Sequence, residues 1–126
     1  MIHKLGQVML YVTNQEDALK FWTEKVGFAV ISEEDNGQGM RWIEIAPTPE
    51  AETSIVLHNK EFIAKMEPGL NLETPSLLFY TEDLETFREK LLKEGVTVGE
   101  VMTMPTGKVF NFSDDEDNYF AVLEKK

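Results

Sequence analysis

Residues 7–13 read Gln-Val-Met-Leu-Tyr-Val-Thr, and residues 76–81 read Ser-Leu-Leu-Phe-Tyr-Thr. Both runs are rich in β-formers and too short for a buried helix, so each predicts a strand. Each run also leads into a helix signal. After the first run, Thr13-Asn14-Gln15-Glu16 has the Thr-x-x-Glu form of a capping box, in which hydroxyl and carboxylate each satisfy an orphan backbone donor. This predicts a helix over 15–26, with Ala18, Leu19, Trp22 and Val26 at helical spacing, Phe21 beside them and Gly27 as the stop. After the second run, Glu82 and Asp83 put negative charge where a helix dipole favours it. Leu84, Phe87 and Leu91 then make an apolar stripe, and Gly95 closes a helix over 83–94.

Working outward, three strands are predicted in the first half, over Phe28–Glu33, Met40–Ala46 and Thr53–His58. The turn signal Asp35-Asn36-Gly37-Gln38-Gly39 and the prolines of Pro47-Thr48-Pro49-Glu50 separate them. The second half offers Val96–Met102, Lys108–Ser113 and Tyr119–Glu124, the last two joined by the acidic turn Asp114-Asp115-Glu116-Asp117-Asn118. Residues 59–75 are polar, carry Pro68-Gly69 and Pro75, and predict a connector with one short helical turn around Glu61–Met66.

The order β-α-β-β-β thus occurs twice, with Leu10-Tyr11-Val12-Thr13 aligned on Leu78-Phe79-Tyr80-Thr81 and Gly27 on Gly95. The expectation is an α+β fold in one domain: a first βαβββ module over 1–58, the connector over 59–75 and a second module over 76–126. One unit alone leaves half of each sheet face bare. Two together are expected to curl into a cup-shaped mixed sheet, where a small ligand would bind.

Composition narrows the function. At 126 residues, 42% hydrophobic and 28% charged, the chain is an ordinary folded protein with room for one core. A formal charge of −11, from 23 acidic against 12 basic residues, repels phosphate backbones and anionic membrane surfaces. Nucleic acid and membrane are therefore not expected as partners. The absence of cysteine removes disulfides, thiolate metal ligands and a cysteine nucleophile. With neither a signal peptide nor a long apolar span at Met-Ile-His-Lys-Leu-Gly, the expected location is cytoplasmic.

Val8-Met9-Leu10-Tyr11-Val12 leads into Ala18-Leu19-Lys20-Phe21-Trp22 and Val26-Gly27-Phe28, and Gly107-Lys108-Val109-Phe110-Asn111-Phe112-Ser113-Asp114 is followed by Asn118-Tyr119-Phe120. Over nearly its whole length the chain resembles the vicinal oxygen chelate superfamily of glyoxalases, dioxygenases and bleomycin-resistance proteins. Phe112-Ser113-Asp114 with Asn118-Tyr119 is similar to that family's closing F-x-D-P-x-G-N-x signature, except that Asp115 and Asp117 stand where Pro and Gly are usual. In metal-dependent members, four positions hold a divalent ion that chelates two vicinal oxygens of the substrate. The resemblance carries these positions onto Gln7, near Val56, on or beside Ser76, and onto Val122. Valine has no lone pair and a serine hydroxyl is a poor anchor, so Gln7 is the one credible ligand where about three are needed.

No cofactor is therefore expected. The alternative is a metal-dependent lyase or dioxygenase holding Zn, Ni, Mn or Fe on a shifted set of Gln7, His58 and Glu124. His58 shares a strand face with Val56, and Glu124 shares one with Val122. The resemblance also implies a homodimer.

Strand alternation groups the other candidates. Gln7, Met9 and Tyr11 share a face, as do Met40, Trp42 and Glu44; Ser76 is grouped with Tyr80, and Phe120 with Val122. If these faces line the cup, its floor is apolar and aromatic with a few polar groups, which suits binding more than reaction. Glu44 reads either as an edge acid in water or as a pocket acid orienting a polar or cationic ligand beside Trp42. His58, ending a strand, reads either as a surface residue or as a member of the pocket. The acidic run Asp114–Asp117 lacks the spacing and glycine of a calcium loop. The expected function is binding of a small amphipathic and, given the acidic field, cationic molecule.

Overall fold

The hydrophobic alternation of the strands and the glycine-stopped helices produce two mixed sheets of four strands each in a computed structural model that describes residues Met1–Lys126. Its contacts group into two units, Met1–Thr74 and Pro75–Lys126. No helix is long and apolar enough to cross a membrane.

In the first unit, β1 (Gln7–Val12) is followed by α1 (Gln15–Lys20), β2 (Ala29–Asp35), β3 (Arg41–Ala46), β4 (Ser54–Asn59) and α2 (Lys60–Met66). The sheet order is β1-β4-β3-β2, with β1 parallel to β4 and the other pairs antiparallel. Leu10, Ile43 and Leu57 lie in register and are buried, and α1 packs on β4 with Ala18 buried, followed by the buried Phe21 and Trp22. Gln15 fastens this helix by donating its amide to the Arg41 and Leu57 carbonyls, at 2.7 and 3.0 Å. Burying side chains such as Leu57 and Ile43 contributes about 1.5–3 kcal/mol each.

Two local expectations change here. The helix is capped by Asn14, whose side chain accepts from the Asp17 N–H at 3.0 Å, so the N-cap is one residue beyond Thr13. A β-region backbone at Asn14 and an amide oxygen of the right reach make it the better cap. The helix also changes to π-helical winding over Phe21–Val26, where the Gly27 N–H donates to the Trp22 carbonyl at 3.0 Å. Gly27 takes φ 98°, the left-handed conformation that only glycine adopts without strain. The helical turn expected around Glu61–Met66 is α2, which is capped by Asn59 and packs on β1 and β4.

In the second unit, β5 (Leu78–Thr81), α3 (Leu84–Lys93), β6 (Met102–Met104), β7 (Gly107–Ser113) and β8 (Tyr119–Glu124) give the sheet order β5-β8-β7-β6. Asp83 caps α3 by accepting from the Thr86 N–H at 3.1 Å. Phe87 of α3 lies over Phe110 and Phe112, with ring centroids 6.1 and 6.5 Å away, and Phe79, Phe112 and Phe120 complete this core. The strand expected over 96–102 is broken. Val98 bridges Phe112, yet Met102 pairs with Val109, one residue out of step. An extra residue is thus accommodated between them, next to Gly99, which has no side chain to hold the pleat.

Candidate functional site

The face of the first sheet away from α1 carries the chemistry. Pairing of Met9 with Val56 and of Tyr11 with His58, and of Glu44 with Val56 and Trp42 with His58, brings three strands' polar and soft side chains onto one surface. Gln7, Met9, Met40, Trp42, Glu44, Val56 and His58 line a concavity of about 190 Å³. Tyr11 is outside this lining and stacks on His58, with ring centroids 5.7 Å apart.

Glu44 is the most fully hydrogen-bonded polar side chain of the concavity. Its Oε2 accepts from the Ser54 hydroxyl at 2.6 Å and from the Gln7 amide at 3.3 Å, and its Oε1 accepts from the Ser32 hydroxyl at 3.2 Å. The Ser54 hydrogen bond above all, helped by Gln7 and Ser32 and opposed by partial burial, holds the Glu44 carboxyl below the usual range. His58 is half-buried. Its Nε2 lies 3.2 Å from the Met9 sulfur, and its buried Nδ1 has no hydrogen-bond partner. Burial pushes its imidazole toward the neutral form.

Sequence reasoning did not include Ser32 and Ser54 in the site. Ser54 is detectable by its place two residues before Val56, on the same face. Ser32 is not, because its pairing with Glu44 depends on a bulge that leaves Ile31 out of the β2–β3 ladder.

The candidates of the second unit are arranged differently from expectation. Phe120 and Val122 are buried on the face covered by α3, where Val122 pairs with Phe110 and Phe79 and the Phe120 ring meets Phe112. Tyr80 pairs with Leu123 and so faces the other way, 67% exposed, with the Lys125 ammonium 5.7 Å from its ring centroid. Ser76 is exposed ahead of β5, outside any ladder. Tyr80 and Val122 therefore cannot share one pocket face.

The same geometry tests a divalent metal. Val56 is 2% exposed and offers no donor, Val122 is under α3, and Gln7, whose amide nitrogen donates to Glu44, offers its amide oxygen alone. In the shifted set, Glu124 accepts from the Leu84 backbone N–H at 3.1 Å, at the start of α3. No three His, Cys, Asp or Glu side chains cluster as metal ligands. The residues present do not make up the donor set such an ion requires.

Residues 4–122 match the model of the Glyoxalase/Bleomycin resistance protein/Dioxygenase superfamily. The chain belongs to that superfamily. It is 36% identical over 125 residues to the uncharacterized protein YetH of Bacillus subtilis (strain 168), a match covering 98% of this chain and 100% of YetH. Among solved structures, TnmS3, an antibiotic binding protein from Streptomyces sp. CB03234, superposes with a TM-score of 0.82 at 27% identity, covering 99% of this chain and 98% of TnmS3. A superfamily member from Sphaerobacter thermophilus DSM 20745 gives a TM-score of 0.82 at 25% identity, over 98% of each chain.

Proposed function

We propose that the protein binds a small amphipathic molecule in the concavity of its first unit, sequestering or sensing it without a catalytic metal. The observation that carries this is the lining itself: Met9, Met40, Trp42 and Val56 present apolar and aromatic surface around one ordered carboxylate. Such a mixture holds a ligand's body by contact area and fixes its orientation at one polar point. The antibiotic binding of TnmS3, at 27% identity, supports the same class of function.

Fluorescence tests it. Trp22 is fully buried in the core and Trp42 lines the concavity, so the two indoles report on different places. Ligands from a panel of small antibiotics and aromatic metabolites should perturb the emission, and Trp42→Phe should remove the ligand-dependent part. A panel in which nothing perturbs Trp42 overturns the proposal.

A homodimer belongs to the same proposal. β1 and β2 in one sheet, and β5 and β6 in the other, each have a ladder partner on one side alone, and such edges invite pairing. Sedimentation should show a dimer; monomer alone at high micromolar concentration counts against it.

A further inference from the structure

We infer that Glu44 anchors a protonated amine, so that the molecule held in the concavity joins an ammonium bearing at least one N–H to an apolar body of about one aromatic ring. This rests on the concavity being the binding site, and it adds the chemical class of the ligand.

The three groups that position Glu44 are two hydroxyls and an amide, all neutral. They orient the carboxylate without cancelling its charge. No Lys, Arg or His forms an ion pair with Glu44; Arg41, the basic residue of the same strand, is engaged by Glu16 and Glu33. His58 supplies no countercharge either, because burial favours its neutral ring. An ordered anion beside Val56, Met9 and Trp42 is thus left without a cation of the protein's own.

Its hydrogen-bonding capacity is also incomplete. A carboxylate has about four lone-pair sites. Two protein donors fill Oε2 and one reaches Oε1, so a site on Oε1 remains for a ligand's N–H. A charged donor there is favoured over a neutral one because charge-assisted hydrogen bonds are roughly twice as strong. Trp42 lies two residues before Glu44 on the same strand face, where its indole adds cation–π attraction and a wall for the apolar body.

The volume gives a scale for the rest. A cavity of roughly 150 Å³ accommodates benzene. The open concavity of about 190 Å³ therefore has room for at least one ring with a short aminoalkyl arm.

The test uses benzylamine and phenethylamine, the alcohols of the same shape, and benzyltrimethylammonium, each titrated at millimolar concentration while the Trp42 indole N–H is followed by NMR. The amines should bind at least about tenfold more tightly than the alcohols, as expected for a charge-assisted contact. Glu44→Gln, isosteric and uncharged, should erase that preference by weakening the amines far more than the alcohols. Alcohols binding wild type as tightly as the amines, or a preference that survives Glu44→Gln, overturns the anchor while leaving the concavity as a binding site. The wild-type comparison decides this even if the variant folds poorly. Benzyltrimethylammonium matching benzylamine overturns the N–H contact. Failure of every probe to shift Trp42 overturns the binding site itself.

Discussion

The Glu124 carboxylate accepts the backbone N–H of Leu84 at 3.1 Å, tying the end of β8 to the first turn of α3. Glu124, Val122 and Phe120 alternate along one face of β8, so this contact also fixes which face of the strand α3 covers. A residue that the shifted metal set would need is here part of a helix terminus, where a carboxylate is favoured by the dipole and by an orphan donor.

Removing that contact should destabilise the second unit. Glu124→Ala is expected to cost about 1–2 kcal/mol, the usual range for a lost charge-assisted bond at a helix start. Glu124→Gln, which keeps the acceptor, should cost less. Urea melts of the two variants measure both, and equal losses would rule out the contact as the cause.

Glu44 offers a pH test. Because its carboxyl lies below the usual range, folding gains from it above the unfolded-state value, and that gain is lost as pH falls through the lower folded value. Ser54→Ala removes the largest cause and should raise the Glu44 midpoint, read by NMR of the side-chain carboxyl against pH. An unchanged midpoint would mean that Ser54 does not hold the charge.

His58 should act at higher pH. Its folded value is lowered by burial, so the unfolded chain binds the proton first as pH drops below about 6.5. Stability is therefore complete above that pH and declines below it, with a slope of at most about 1.4 kcal/mol per unit for one proton. Melting of wild type beside His58→Gln between neutral and mildly acid pH should show the variant losing less. Parallel curves would contradict the assignment.

The two units differ in how far their sequences define a face. In the first, Gln7, Glu44 and His58 alternate with Leu10, Ile43 and Leu57, and the polar members mark the open side. In the second, Leu77-Leu78-Phe79-Tyr80 and Tyr119-Phe120-Ala121-Val122-Leu123 are apolar on both sides, so alternation carries no sign. That is why Phe120 and Val122 were expected in a pocket and are found beneath α3. The doubled βαβββ order was legible because helix caps and glycine stops are local. The π-helical turn at Phe21–Val26 was not, since Ala18, Trp22 and Val26 fit α spacing equally well.

Asp117 holds φ 62° at the turn where the superfamily's signature has glycine. A left-handed backbone costs a non-glycine residue roughly 1–2 kcal/mol, somewhat less for Asp, and glycine returns part of the gain through the unfolded chain. Asp117→Gly should therefore stabilise the protein by about 0.5–1 kcal/mol, seen as a raised melting temperature. A lowered one would show that the aspartate's own contacts outweigh the strain.

The last prediction concerns metal. At the positions where the superfamily's metal-dependent members place ligands, this chain has Gln7, whose amide donates to Glu44, and Val56, which is buried and has no lone pair. Val122 and Glu124 lie on the face of the second sheet that α3 covers, the carboxylate being held by Leu84. Glu44 and His58 do line one concavity with Gln7, but an imidazole lying against the Met9 sulfur and a carboxylate held by three neutral donors would have to break those contacts to chelate an ion together. Protein expressed with zinc, nickel, manganese and iron in the medium should accordingly contain far less than one divalent ion per chain after gel filtration. Gln7→Ala should leave that content unchanged, and the melting temperature should not respond to a chelator, since an ion that binds the folded state stabilises it by mass action. Near-stoichiometric metal lost on Gln7→Ala would instead place an ion on β1 and support the lyase or dioxygenase alternative.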